Sequence, residues 1–575
     1  MKHGELRAQI DNGEWRNAKA ELTKLVNTGE WNDELAIYAA AIAFAEEDEQ
    51  DACEYIRQGL ICNYRNYELY FMLGNYYEKT NHKQAWLCYE QAEYYCTDVK
   101  DSELIKAYKE RLESLQIALV HKVSVIICTH NEAVLTRQCI ESIRNTNANA
   151  SYELIVIDNA STDKTAEWLN EQSDIKTLTC VQKAGIPEML NWGIKEAERD
   201  NDILVLDSDT FMLPNALFWL RMGLYSDEKV GAAGCMTNKD INGQQVLAQF
   251  SDVNEYIAYG ARVNVPMLHP YERKVWLAGF GMLIKREALD EIGGFDEFLS
   301  PGRGADTDLC VRMNYAGFKV LLCHNSFIIY YQHGENSRIR YAAEYEDLKF
   351  YEKWKFNIEY YAIPKESMMQ MITHQPDENI SVLEVGCGCG TTLARIQYLW
   401  KNAEIFGIEL NEKVAELGAN VGNVMAGNIE SFAFPYEEKL FDYIILADVL
   451  EHLHEPAETL KQLMVYLKDD GRILCSIPNI MNQNVIAGLL MGRFQYEKDG
   501  ILDRTHLRFF TLDSIKEMID SCGMEMEVLN ATFNQVTDDP KEQELLEALY
   551  KIPHIADKEL FTVYQYVFSA KKREL

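Results

Sequence analysis

Three regimes of hydrophobic patterning follow one another along the chain. From residue 1 to about 115, apolar positions recur at helical spacing among Ala, Leu, Tyr and Glu, with no alternating run and no proline. At Val123 the period changes. Val-Ser-Val-Ile-Ile-Cys128, Glu153-Leu-Ile-Val-Ile-Asp158 and Ile203-Leu-Val-Leu-Asp207 are short β-rich runs separated by helical patterns, which predicts a parallel sheet with helices on both faces. Residues 341–378, with many Tyr, Lys and Glu and a proline at 364, predict a helical connector. A second α/β pattern opens at Ser381-Val-Leu-Glu384 and runs to the carboxyl end. The predicted organisation is therefore helical over 1–118, α/β over 119–340, a helical linker over 341–378, and α/β again over 379–575.

The helical region repeats itself. Ala41, Ala52 and Gly59 are echoed at Gly74, Ala85 and Ala92, an offset of 33 positions, and Phe44 and Ile56 are echoed at Tyr77 and Tyr89. Small residues at these places let paired antiparallel helices approach closely, while the aromatics fill the gaps between pairs. The stretch Leu73-Gly74…Tyr77…Ala85…Tyr89…Ala92 resembles a tetratricopeptide (TPR) repeat, and Trp15, Ala18 and Leu22 resemble a worn earlier copy. Two uses remain open: a concave face for a protein or glycan partner, or a helical cap packed on the next domain.

Composition narrows the partners. At 575 residues and 47% hydrophobic content, the chain is long enough for several cores, and no stretch approaches the ~20 apolar residues of a membrane helix. A formal charge of −34 argues against a nucleic-acid partner, whose binding draws on Lys and Arg. The amino terminus leads straight into helical pattern without an apolar export segment, and the fourteen Cys are scattered singly, so a cytoplasmic protein with reduced thiols is expected.

Polar residues cluster where the predicted strands end, which is where open parallel sheets bind ligands. Thr129-His130-Asn131-Glu132 follows the first strand, Asp158-Asn159-Ala-Ser161-Thr-Asp163 the second, and Asp207-Ser208-Asp209 a later one. Together they outline a nucleotide pocket. Departure of a sugar nucleotide's diphosphate requires a divalent cation, and hard carboxylate oxygens hold Mn²⁺ or Mg²⁺. Asp207 and Asp209 supply such ligands, and Asp158 is suited to a pyrimidine or ribose.

These residues, with Gly185…Asn191-Trp-Gly193 and the distal Gly293-Gly-Phe-Asp-Glu297…Asp306-Thr-Asp308-Leu-Cys-Val-Arg312…Ala316-Gly-Phe318, resemble family 2 glycosyltransferases of GT-A fold, near the rhamnosyltransferase-like branch. The resemblance implies that Asp306 is the general base of an inverting transfer. It also implies that His333 is a third metal ligand and that the donor is deoxythymidine-diphosphate rhamnose, with a uridine-diphosphate sugar next. Ala305 stands where relatives commonly carry Glu.

The last region opens on Glu384-Val-Gly-Cys-Gly-Cys-Gly390, a strand running into glycines and then a helical pattern. Glu409, nineteen residues beyond Gly390 at the end of another strand, is suited to ribose hydroxyls. Glycines alone leave a dinucleotide cofactor in contention. Asp442-Tyr-Ile-Ile-Leu-Ala-Asp448-Val-Leu-Glu-His452-Leu, Gly471–Asn479 and Leu502–Thr511 decide the matter by resembling class I methyltransferases of Rossmann-like fold. The resemblance implies S-adenosylmethionine bound by Glu384, Gly386, Gly388 and Gly390, with Glu384 and Gly386 at its methionine part and Glu409 at its ribose. Asn428 and Ile429 would hold its adenine, with Asp448 near its sulfonium. His452, His454 and His506 are candidates for the base that deprotonates an acceptor hydroxyl, and the loop 479–508 for a cover over the acceptor.

The whole predicts a bifunctional enzyme that transfers a sugar to a glycan or glycoprotein and O-methylates sugar, in surface-glycan or flagellin-type glycosylation. Joining the two in one chain raises the local concentration of the first product at the second site. Two alternatives stand beside it: a methyltransferase acting on a separate acceptor, and a scaffold that recruits targets through its repeats with one active catalytic domain.

Overall fold

The computed structural model describes residues 3–27, 29, 31–115, 119–146, 152–239, 242–246, 250, 252–302, 304–331, 343–534, 539–552 and 558–573, with side chains omitted for 343–347. It comprises two compact units, Met1–Asn357 and Ile358–Leu575. The stretch 341–378 is shared out between them: a helix at Ala343–Trp354 lies in the first, and Ile358 onward in the second.

The first unit opens with α1 (Gly4–Asp11), α2 (Trp15–Asn27), α3 (Asp33–Ala45), α4 (Glu49–Cys62), α5 (Tyr67–Tyr77), α6 (His82–Tyr95) and α7 (Val99–Ser114). Their starts are written in the sequence as side-chain caps. Asn32, Asp48, Asn66, Asn81 and Asp98 each accept hydrogen bonds from the first-turn backbone N–H groups of α3 to α7, groups that otherwise have no partner. The caps of α3 and α5 stand 34 positions apart, and those of α4 and α6 stand 33 apart, so the repeat is one of punctuation as well as of apolar positions. The small residues act as expected: a Cβ at Gly59 would come within 2.6 Å of Leu69 and 2.7 Å of Ala36.

α6 packs on the α/β part of the same unit. Gln84 donates to the Met222 carbonyl at 2.8 Å, Asn81 to that of Tyr225 at 2.9 Å, and the buried Arg221 pairs with Glu90. Asn215 gathers Tyr70, Gln91 and Tyr95 through hydrogen bonds of 2.8–2.9 Å. One apolar core runs from Ile56, Leu69 and Tyr89 into Val125, Leu217 and Trp219.

The α/β part is built on β1 (Val123–Thr129), β2 (Tyr152–Asp158), β3 (Ile175–Thr179), β4 (Asp202–Asp207), β5 (Thr210–Phe211), β6 (Val230–Thr237), β7 (Tyr271–Lys274), β8 (Gly281–Ile284) and β9 (Lys319–Tyr330). Their order is β3-β2-β1-β4-β8-β6-β9-β5, with β7 on β9. β3, β2, β1 and β4 are parallel, as predicted, but β8 runs antiparallel between β4 and β6. Gly281-Met-Leu-Ile284 is wholly buried, so its apolar run marks a strand without encoding direction.

The second unit carries β10 (Ser381–Val385), β11 (Glu404–Glu409), β12 (Asn423–Ala426), β13 (Phe441–Ala447), β14 (Leu467–Pro478), β15 (Met524–Phe533) and β16 (Val563–Lys572) in the order β12-β11-β10-β13-β14-β16-β15. The first five are parallel, and β16 and β15 close the edge antiparallel. In both sheets the chain reverses its direction of travel beside the first strand, between β1 and β4 and between β10 and β13. Such switch points open a crevice at the carboxyl ends of the strands. Among the described residues no helix is long and apolar enough to cross a membrane, and none of the fourteen cysteines is in a disulfide.

Candidate functional site

In the first unit a cavity of about 330 Å³ sits at the β1/β4 switch point, lined among others by Thr129, His130, Glu132, Asn159, Lys183, Asp207, Ser208 and Asp209. Register explains the convergence. Thr129 pairs with Asp158 and Cys128 with Asp207, so three strands end level and deliver their polar residues to one rim.

The rim is braced by its own turn chemistry. Asn131, at φ +55°, takes Thr162 N–H at 2.7 Å on its side-chain oxygen and gives its own N–H to Ser161 at 2.9 Å. Asn131 thereby ties the β1 loop to the β2 loop. Thr129 shares a buried hydrogen bond of 2.6 Å with Thr136. Asp158 is 1% exposed; one carboxylate oxygen accepts Ser161 N–H at 3.1 Å, and the other is buried without a hydrogen-bond partner among the described residues. A buried acceptor left in this state costs about 1–3 kcal/mol, so it is suited to a donor brought by a ligand.

Asp207 and Asp209 are 8% and 4% exposed. Tyr330 donates to Asp207 at 3.4 Å, and Ser208 between them donates to Glu132 at 2.5 Å. Two buried carboxylates at one rim suit a divalent cation. Lys183 enters the same cavity and was not singled out from the sequence; its only signal was its place before Gly185-Ile-Pro187, the capped start of a helix over Ile186–Glu196. His333 lies outside the described residues.

Asp306 and Asp308 divide the distal motif between them. Asp306, at the start of a helix over Ala305–Tyr315, is half-buried and accepts N–H groups of Gly279 and Thr307, both at 2.8 Å. Asp308 is fully buried and saturated: Arg312 bonds it at 2.8 Å, Trp354 at 2.9 Å and Lys353 at 2.5 Å. Asp308 fastens the helix Ala343–Trp354, which leaves Asp306 as the carboxylate with a solvent-facing side. Asn191 exchanges 2.8 Å hydrogen bonds with the backbone of Phe295, in both directions. It therefore positions the Gly293–Glu297 turn.

In the second unit Gly386, Gly388 and Gly390 all take positive φ, +68°, +53° and +78°. A Cβ on Gly388 would overlap the Tyr361 carbonyl oxygen, which accepts Cys389 N–H at 3.1 Å. Gly388 N–H donates to Glu409 at 2.9 Å, and Asn411 N–H donates to the other oxygen of Glu409 at 2.9 Å. Burial raises the Glu409 carboxyl above its ordinary range, against these N–H groups. Glu384 is 3% exposed, with one carboxylate oxygen lacking a partner among the described residues, and burial pushes its carboxyl up to about 8. A glycine cradle beside an orphaned buried carboxylate fits a cofactor that carries positive charge.

Asn428 is exposed and caps the turn Ile429–Ser431, with Ile429 buried at 6%. Asp448, at φ +57°, is held by Lys365 at 2.9 Å, Ser476 at 2.8 Å and Gln565. Burial lowers the Lys365 ammonium, but Asp448 outweighs it and holds the group above its ordinary value. Lys365 falls in the predicted connector, where a lone Lys after Pro364 carries no sequence signal. His454 is exposed and paired with Glu430 at 3.1 Å. His452 and His506 instead lie ring to ring, centroids 4.8 Å apart, beside buried Glu451.

Comparison with known proteins agrees with this division. Residues 121–356 match the family model described as Glycosyltransferase like family 2, and residues 359–528 the model described as Methyltransferase domain. A probable glycosyltransferase YdaM of Bacillus subtilis (strain 168) is 28% identical over 228 residues, 38% of this chain and 51% of the relative. A demethylmenaquinone methyltransferase of Shouchella clausii (strain KSM-K16) is 24% identical over 182 residues, 28% of this chain and 76% of the relative. Among solved structures, the mannosyltransferase PcManGT from Pyrobaculum calidifontis in complex with GDP-Man and Mn²⁺ aligns with a TM-score of 0.28 at 18% identity, covering 44% of this chain and 70% of that one. The chain spans about half the length of the first of these curated relatives. It runs from a helical region through a GT-A-like α/β domain to a Rossmann-like methyltransferase domain.

Proposed function

We propose that the chain is a bifunctional transferase that moves a sugar from a nucleoside-diphosphate donor to a glycan or glycoprotein acceptor, with inversion, and O-methylates a sugar hydroxyl. The observation that carries the first half is the convergence of buried Asp207 and Asp209 on one cavity that Lys183 also enters, with buried Asp158 level with Thr129 at the neighbouring strand end. In this reading Asp207 and Asp209 hold Mn²⁺ or Mg²⁺ against the diphosphate, with His333 as a further ligand. Thr129, Asn131 and Asp158 shape the nucleoside side. Asp306 takes the proton from the attacking hydroxyl, its orientation fixed by Gly279 and Thr307 N–H.

The second half is supported by the glycine cradle and the orphaned carboxylate of Glu384. When bound, S-adenosylmethionine supplies an electrophilic methyl group. Gly386, Gly388 and Gly390 let the backbone approach it, Glu384 and Gly386 at its methionine part; Glu409 takes the ribose hydroxyls, and Asn428 and Ile429 border the adenine. Asp448 stands toward the sulfonium, and His452 and His506 toward the acceptor. The donor is of deoxythymidine- or uridine-diphosphate type, and the paired helices, of TPR kind, present an acceptor protein. The protein works in the cytoplasm.

The test is incubation of the full chain with a glycan acceptor, Mn²⁺, a panel of sugar nucleotides and methyl-labelled S-adenosylmethionine. The account expects a product with both additions, sugar transfer lost in Asp306→Asn, and methyl transfer to preformed glycan retained. Methyl transfer only to non-carbohydrate acceptors would overturn the second half. Loss of both activities in folded Asp306→Asn protein would overturn the assignment of separate sites.

A further inference from the structure

The unit that carries the glycine cradle holds a second constellation, built around a carboxylate to which the cofactor reading gives no role. Glu451 lies in the turn Leu450–His452 that follows β13, and its backbone carbonyl is clamped by Leu507 and Arg508 N–H at 2.8 and 3.0 Å. The clamp brings the 503–508 loop over the turn. His506 on that loop and His452 on the turn then stand beside the Glu451 carboxylate, and one ligand atom from each of the three lies within 4.8 Å of the others.

The carboxylate is 1% exposed, and both of its oxygens are buried without a hydrogen-bond partner among the described residues. A carboxylate so placed is ordinarily paired or ligates a metal. Asp448 does not relieve it, because a carboxylate only accepts hydrogen bonds, and its oxygens already take those of Lys365, Ser476 and Gln565.

The imidazoles are oriented for the same purpose. His452 Nδ1 faces the Thr505 carbonyl at 3.1 Å, and His506 Nδ1 faces the Ile501 carbonyl at 2.9 Å. A carbonyl only accepts, so each Nδ1 carries the proton and each neutral ring keeps its lone pair on Nε2. An N–H fixed on a backbone carbonyl is the usual outer-shell support of a metal-binding histidine.

We propose that Glu451, His452 and His506 form a divalent-cation site, with two imidazole Nε2 atoms and one carboxylate as ligands and the remaining positions open. That donor set suits Mn²⁺, Fe²⁺, Co²⁺ or Zn²⁺ better than Mg²⁺, which prefers oxygen and keeps its water. Three protein ligands with open positions mark a site that takes up a substrate oxygen. Resting on the proposed methylation of sugar, the oxygen is an acceptor hydroxyl or a vicinal pair. Bound to the cation, it loses its proton to water and attacks the methyl carbon; the C–O bond forms as the C–S bond breaks, and the electron pair stays on sulfur. The two histidines are then ligands, and no imidazole base is required.

The test uses the full chain, stripped by chelator and titrated with Co²⁺, in an Asp207→Asn/Asp209→Asn background that removes the other proposed cation site. The expected result is one tightly bound Co²⁺ with two paramagnetically shifted, exchangeable imidazole N–H signals. One signal should vanish in His452→Ala and the other in His506→Ala, with Co²⁺ affinity falling at least tenfold in each. Glu451→Gln should weaken binding similarly, and His454→Ala should leave both signals. S-adenosylhomocysteine binding, measured alongside, confirms that each variant is folded. Absence of bound Co²⁺ in the starting protein, or signals indifferent to His452 and His506, would overturn the site. Co²⁺ bound as described in a chain that methylates no sugar would sink the sugar reading and leave the cation site standing.

Discussion

Replacing Gly388 by Ala tests the cofactor cradle at its tightest point. Gly388 sits at φ +53°, where an L-residue bears about 1–2 kcal/mol of strain. Its new Cβ would overlap the Tyr361 carbonyl oxygen and stand 3.2 Å from the carbonyl carbon, and a backbone carbonyl cannot swing aside as a side-chain tip can. Relief requires moving the loop, which loosens the bond of Cys389 N–H to Tyr361 and that of Gly388 N–H to Glu409. Each such bond is worth about 1 kcal/mol net, so restoring the cradle around a ligand costs about 3–4 kcal/mol in all. At 1.4 kcal/mol per decade that is a loss of roughly 100- to 1,000-fold in S-adenosylmethionine affinity, read by titration calorimetry. Gly523→Ala is the control, because Gly523 has positive φ, +74°, but open space where its Cβ would go. It should bear strain alone and bind the cofactor normally. Affinity within threefold of the original in Gly388→Ala would refute the reasoning.

Three further outcomes follow from the geometry. Asp306→Asn should lower sugar-transfer kcat by about 10²- to 10⁴-fold while nucleotide affinity stays within about threefold, since a general base acts on the transition state rather than on the donor; a change confined to KM would contradict the role. Glu384, held neutral by burial until about pH 8, must ionise to meet a cationic cofactor, so binding below that pH releases a proton. Affinity for S-adenosylmethionine should rise from pH 6 to 8 and level off above, with Glu384→Gln removing the slope; a flat profile in the unaltered chain would contradict the assignment. Glu90→Gln should destabilise the first unit by about 2–4 kcal/mol in urea unfolding, because Arg221 is left buried without its counter-ion, and adding Arg221→Met should recover most of the loss.

The strands that build both crevices were legible because buried parallel strands are continuous apolar runs closed by polar residues, as in Ile203–Asp207 and Val382–Glu384. The glycine loop was legible for a related reason, since glycine is the residue best suited to three alternate left-handed positions, 386, 388 and 390. Direction and pairing were not: β8 reads as an apolar run whichever way it points. Helix caps such as Asn66 and Asn81 were present in the sequence, yet only their hydrogen bonds show them to recur with the repeat. The deeper omissions were residues whose meaning lies in a distant partner. Lys183 and Lys365 resemble any surface lysine until Asp209's cavity and Asp448 are placed near them. Glu451 stood inside a recognised motif, but the burial of its carboxylate without a hydrogen-bond partner among the described residues is a property of packing. Asp306 and Asp308 could be told apart only once Lys353 and Trp354, nearly fifty positions on, were seen to saturate the second.

The central claim is that one chain keeps two independent ligand sites, one for a metal-bound nucleoside diphosphate and one for a methyl donor. Thermal unfolding of the full chain with Mn²⁺ and a nucleoside diphosphate, with S-adenosylhomocysteine, or with both tests it directly. The account predicts two separate stabilisations, the first abolished in Asp207→Asn/Asp209→Asn and the second in Gly388→Ala, each leaving the other intact. Undiminished protection of Asp207→Asn/Asp209→Asn by the metal and nucleotide would contradict it.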